Sequence, residues 1–137
     1  LYRQLSTLLE MRHSAYDFGS QDNAGQKFRA AHQELLDVDM LILDEVCVNE
    51  TVLKKNSQSW LGNLLRQRLV NKKNCILITN HNLGDLEQAL GRYCFESIKE
   101  YDTYKVRFSG PSRRKGLTLD EEDQVTSAPR YQPNQVR

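Results

Sequence analysis

Val38-Asp39-Met40-Leu41-Ile42-Leu43-Asp44-Glu45 decides how the chain is read. Four consecutive apolar residues, Met40 to Leu43, offer no polar face to water, so they read as a strand buried on both sides. Asp44 and Glu45 stand where that strand ends. Acids at a strand end can serve solubility alone. The alternative is chemistry, because two adjacent carboxylates on a rigid strand end can hold a cation and accept a proton.

A second continuous apolar run, Cys75-Ile76-Leu77-Ile78-Thr79, ends at Asn80. Between the two runs a long helix is expected from about Val52 to Asn71. Trp60, Leu61, Leu64, Leu65 and Leu69 form its apolar stripe, and Lys54, Lys55, Arg66, Arg68, Lys72 and Lys73 lie largely outside it. The aliphatic neighbours of Trp60 mark it as core rather than a base-stacking platform. Two buried strands joined by one helix require a parallel sheet with a right-handed crossover. Asp44 and Asn80 then project onto one rim, the carboxyl-end rim where open α/β sheets bind ligands. Asn80 has two readings: a cap for the turn into His81-Asn82-Leu83, or an amide that hydrogen-bonds both a water and a phosphate oxygen. The fold class expected is α/β, a parallel sheet flanked by helices.

Working outward, residues 1 to 12 read as a helix with Leu5, Leu8 and Leu9 on one face. Gly19 to Gly25 is a turn-rich break. A second helix is expected from Gln26 to about Leu36, facing inward with Phe28, Ala31, Leu35 and Leu36. Beyond the second strand, a short helix runs from Leu83 to about Leu90, Gly91 breaks it, and Arg92 to Ile98 begins another turn or two. Tyr104-Lys105-Val106-Arg107-Phe108 alternates polar and apolar residues, the pattern of a half-buried edge strand, and Ser109-Gly110-Pro111-Ser112 stops it. Past Gly116 come the acidic cluster Asp120 to Asp123, Pro129 and Pro133 with little apolar content. The expected organisation is therefore a domain portion over 1–116 and a flexible tail over 117–137.

Composition narrows the classes. The 137 residues are 39% apolar and 27% charged, with a formal charge of +1, so no global charge points to nucleic acid. Locally, Lys105, Arg107, Arg113, Arg114 and Lys115 fall within eleven residues that contain no acid; they form either a solvated face or a set of phosphate contacts. No apolar run is long enough to span a membrane and no secretory signal opens the chain, which predicts a cytoplasmic protein. The opening Leu1-Tyr2-Arg3-Gln4-Leu5 reads as helix interior, so the chain is expected to be the carboxy-terminal piece of a longer protein. Cys47, Cys75 and Cys94 are odd in number and unpaired in spacing, as are His13, His32 and His81. Reduced thiols are expected, and no structural metal.

The strand Leu-Ile-Leu-Asp-Glu has the form of a Walker B element. Together with the helix carrying Leu64-Leu65-Arg66-Gln67-Arg68, the strand Ile76-Leu77-Ile78-Thr79-Asn80 and Ala89-Leu90-Gly91-Arg92, it resembles the DnaC/IstB branch of AAA+ ATPases. The closer resemblance is to DnaC-type replicative helicase loaders, over roughly residues 1 to 115. It implies a P-loop NTPase fold, with ATP and Mg²⁺ as cofactors. Asp44 matches the magnesium-holding acid, through water, and Glu45 the water-activating one. Asn80 matches sensor 1. Arg114 resembles the sensor 2 arginine that touches nucleotide phosphates, with Arg113 beside it. The implied partners are a replicative DNA helicase, single-stranded DNA and further copies of the protein.

The chain departs from the family pattern twice. The family's Gly-x-x-x-x-Gly-Lys-Ser/Thr loop lies upstream of this region, so the chain lacks the loop that cradles the phosphates and is expected to be inactive alone. Where the family's arginine finger would align stands Ser97. Either Arg92 serves by a shift of helix register or activation of a neighbouring subunit is weak. An IstB-type transposition helper shares the same core, and a non-enzymatic adaptor on this scaffold would use the basic segment to bind helicase or DNA.

Overall fold

A computed structural model describes residues 1–17, 23–48 and 52–111. Within it, Leu1–Tyr104 forms one compact unit. The elements in chain order are β1 (Tyr2–Gln4), α1 (Leu5–Asp17), α2 (Asn23–Asp37), β2 (Met40–Asp44), α3 (Lys55–Val70), β3 (Asn74–Leu77), α4 (Leu83–Leu90) and α5 (Arg92–Lys99). The chain is α/β. Among the described residues, three parallel strands form one sheet in the order β1-β2-β3.

The two apolar runs are strands, with Met40 opposite Asn74 and Leu43 opposite Leu77. β1 corrects the expected helix over residues 1–12. Tyr2–Gln4 pairs with Ile42–Asp44, and the helix begins only at Leu5. Three residues are too few for a period to show, and Leu1 and Leu5 happen to fall at helical spacing with Leu8 and Leu9.

Alternation along the strands sorts the sheet into two faces. Leu41 and Leu43 are fully buried and join Leu5, Leu8, Leu9, Leu35, Leu61, Leu64 and Leu65 in the core. Each such leucine contributes roughly 1.5–3 kcal/mol by leaving water. On the other face, Tyr2, Ile42 and Ile76 share a row. That face stays open, with Met40 41%, Ile76 44% and Ile78 45% exposed. Parallel sheets are ordinarily covered on both sides. The described helices cover one.

Arg68 corrects its expected place outside the stripe of α3. It follows Leu64 by four residues and Leu65 by three, which puts it on the inward face, and it is fully buried. Its guanidinium donates to the carbonyls of Leu35, Val38 (2.9 Å) and Asn74 (2.7 Å). One side chain thereby joins the last turn of α2, the approach to β2 and the first residue of β3. Buried Arg is tolerated here because every direction of its fork meets an acceptor.

Ser97, aligned with the family's arginine finger, is buried, and its hydroxyl donates to the Tyr93 carbonyl at 3.0 Å. It lies at the α3–α5 contact beside Gly62, where an added Cβ would stand 2.7 Å from the Tyr93 ring and 3.3 Å from the Ser97 hydroxyl. Packing explains this position. The alternating segment 104–108 is also a correction. It carries no strand ladder among the described residues, and Tyr104, Val106 and Phe108 are 88%, 75% and 94% exposed. Alternation makes a strand only where a neighbour accepts the backbone hydrogen bonds.

Trp60, the single tryptophan, packs against Phe28 and His32 of α2, with its indole N–H donating to His32 Nδ1 at 3.2 Å. Burial holds the His32 imidazole below its ordinary value of 6.5. The acceptor role of Nδ1 also requires the neutral ring. A histidine whose folded value is depressed favours the native state above its unfolded value, and that contribution is lost as the pH falls below it. We therefore expect stability to decline, and Trp60 fluorescence to be quenched, as the pH is lowered from 6.5, with a midpoint below 6.5. His32→Gln should abolish the fluorescence titration. A midpoint above 6.5 in the wild type would contradict the burial of the neutral ring.

Candidate active site

Asp44 ends β2 and Glu45 follows it, while Asn80 lies just beyond β3. The strands are parallel and adjacent, and the ladder continues past their ends. Ile78 N–H donates to the Leu43 carbonyl at 2.8 Å, and Val46 N–H donates to the Ile78 carbonyl at 2.9 Å. The structure thus brings Asp44, Glu45 and the approach to Asn80 to one rim of the sheet.

Asp44 is oriented at both oxygens. Oδ1 accepts the Glu45 N–H at 2.8 Å, and Oδ2 accepts the Tyr2 hydroxyl at 2.6 Å. The bond to Asp44 holds the Tyr2 hydroxyl above its ordinary value. Among the described residues no group of three His, Cys, Asp or Glu side chains could hold a metal. The carboxylates that the described rim offers are those of Asp44 and Glu45, and Mg²⁺ is ordinarily bound through one or two carboxylates with phosphate oxygens and water completing its shell.

Glu45 is exposed and has φ 53°, in the left-handed region, and Cys47 follows with φ 61°. Such backbone in residues with a Cβ costs on the order of 1–3 kcal/mol each and persists only where surroundings enforce it. Here they do. Thr79 Oγ1 donates to the Val46 carbonyl at 2.8 Å, and the His81 ring bonds the Cys47 carbonyl at 2.6 Å. A cleft of about 30 Å³ opens among Leu5, Ser6, Glu45, Cys47 and Val48, enough for a water.

Asn80 is exposed, and its side chain makes no hydrogen bond among the described residues. The cap of α4 is made by Asn82, whose Oδ1 accepts the Asp85 N–H at 2.9 Å and whose amide donates to the Asp85 carboxylate at 2.7 Å. Among the described residues the α4 cap is therefore made by Asn82 and not by Asn80.

Arg92 opens α5, which packs on α3 and α4, and is exposed. No hydrogen bond or ion pair among the described residues joins it to the rim. Arg113, Arg114 and Lys115 lie outside the described residues. Lys105 and Arg107 are exposed.

Tyr2, Thr79 and His81 were not legible as site residues. Tyr2 was hidden by the helical spacing around it. Thr79 and His81 flank Asn80, and two polar residues on either side of an amide just past a buried strand were the available signal. Comparison of the chain with protein-family models and with curated proteins gives no match.

Proposed function

We propose that the chain is the carboxy-terminal part of a P-loop ATPase domain of the AAA+ type, serving as a cytoplasmic helicase loader in DNA replication. The observation that carries this reading is the rim itself: an acid pair, and an amide with no hydrogen bond among the described residues, at the carboxyl ends of adjacent parallel strands cross-bonded beyond both ends. The open apolar face and the one-sided helix layer support a partial domain, completed by the segment that bears the phosphate-cradling loop.

In this reading Asp44 holds Mg²⁺ through water, and Tyr2 and the Glu45 N–H fix the carboxylate that does so. Bound ATP·Mg²⁺ supplies a γ-phosphoryl group open to in-line attack. Glu45 orients a water at its cleft and accepts its proton. The Asn80 amide donates to a phosphate oxygen and accepts from the same water, so the two side chains fix its approach. Arg92 and Arg114 are the cations assigned to phosphate. Lys105 and Arg107, exposed beside Tyr104 and Phe108, offer phosphate contacts and stacking surfaces to single-stranded DNA, which supports the loader role. The remaining partners are a replicative helicase and further copies of the protein.

Nucleotide binding tests the reading. In the polypeptide carrying both this chain and its phosphate loop, Asp44→Ala should weaken ATP binding about 10–100-fold in Mg²⁺. In excess chelator it should make no difference. Equal affinities in Mg²⁺ would remove Asp44 from the metal site.

A further inference from the structure

We infer that Thr79 and His81 are positioning residues that clamp the 45–48 loop to the end of β3, holding the Glu45 carboxylate in fixed relation to the Asn80 amide. The inference rests on the reading of Glu45 and Asn80 as the groups that hold the attacking water, and it adds how they are held.

The geometry is a closed set of bonds. Thr79 Oγ1 donates to the Val46 carbonyl at 2.8 Å and accepts the His81 N–H at 3.2 Å. His81 Nε2 lies 2.6 Å from the Cys47 carbonyl. A carbonyl can only accept, so that nitrogen carries the proton. Two successive carbonyls of the loop are thus gripped by the two residues that flank Asn80, and Val46 N–H adds a third bond, to Ile78. The loop needs such a grip, because Glu45 and Cys47 both occupy the left-handed region and relax toward ordinary backbone if released. Val46 is buried, so its carbonyl, once released, would lose the Thr79 hydroxyl away from water. A shift at either strand end must therefore move the other.

Thr79→Val keeps the shape of the side chain and removes the hydroxyl; Thr79→Ser keeps the hydroxyl. Cys47 is 3% exposed within the loop, and Cys94 is fully buried in α5 with its thiol pushed up to about 12. Modification of each thiol by a maleimide, followed by mass spectrometry on the full chain, separates loop opening from global unfolding. Thr79→Val should speed labelling of Cys47 about tenfold, the loss of one buried hydrogen bond, without changing Cys94. Thr79→Ser should restore the wild-type rate, and His81→Ala should act like Thr79→Val. An unchanged Cys47 rate, or Cys47 and Cys94 rising together, would overturn the clamp. In the polypeptide that turns over ATP, Thr79→Val should lower kcat and leave ATP affinity unchanged, with Thr79→Ser close to wild type. An opened loop with undiminished kcat would overturn the positioning role. A wild type that binds no ATP would reject the ATPase reading instead, and the labelling result would still decide whether the clamp exists.

Discussion

Glu45→Gln is expected to cut ATP turnover by at least about 100-fold while leaving ATP affinity within about twofold. Gln matches Glu in shape, and its backbone N–H still bonds Asp44 Oδ1, so the left-handed turn and the Asp44 carboxylate are undisturbed. What disappears is the carboxylate proposed as the proton acceptor. Single-turnover phosphate release, measured beside nucleotide binding, separates the two effects. Undiminished turnover would remove Glu45 from the mechanism.

Arg68→Met should destabilise the fold by about 3–5 kcal/mol, the cost of leaving the buried Leu35 carbonyl and the part-buried Val38 and Asn74 carbonyls without the guanidinium. Replacing a buried ion pair by apolar residues can be harmless, because both partners leave together. Here the partners are the backbone carbonyls of Leu35, Val38 and Asn74, which no substitution removes. Lys, with a single ammonium, cannot span them, so Arg68→Lys should recover only part of the loss. Urea unfolding followed by Trp60 fluorescence measures both variants. A loss below about 1 kcal/mol for Arg68→Met would show that water replaces the guanidinium. Arg68 acts at the amino ends of β2 and β3, opposite the candidate site, so its effect on turnover should follow the folded fraction alone.

β2 and β3 were readable because each is a continuous apolar run closed by a polar residue, a pattern that needs no tertiary knowledge. The common rim of Asp44 and Asn80 followed from the helix between them. β1 was not readable: three residues, with leucines on either side at helical spacing, carry a stronger helical than strand signal. Arg68 was misplaced because its charge outweighed its position, although its spacing from Leu64 and Leu65 put it inward. The reverse error occurred at 104–108, where alternation suggested a strand and the described residues supply no partner for its backbone. The contacts that define the site most closely, Tyr2 to Asp44 and His81 to Cys47, join residues 42 and 34 positions apart. Only the folded sheet brings such pairs together. The α4 cap was no more legible: Asn80 and Asn82 are both placed to supply it, and only the folded chain shows that Asn82 does.

The most direct measurement is an ATP titration of the folded full-length protein, which under the proposed reading carries a phosphate loop, in Mg²⁺ and in chelator, for the wild type and for Asp44→Ala. Binding that Mg²⁺ strengthens in the wild type and not in Asp44→Ala is the expected result. Absence of ATP binding by the folded wild type, or binding indifferent to Mg²⁺, would contradict the assignment of this rim as half of a nucleotide site.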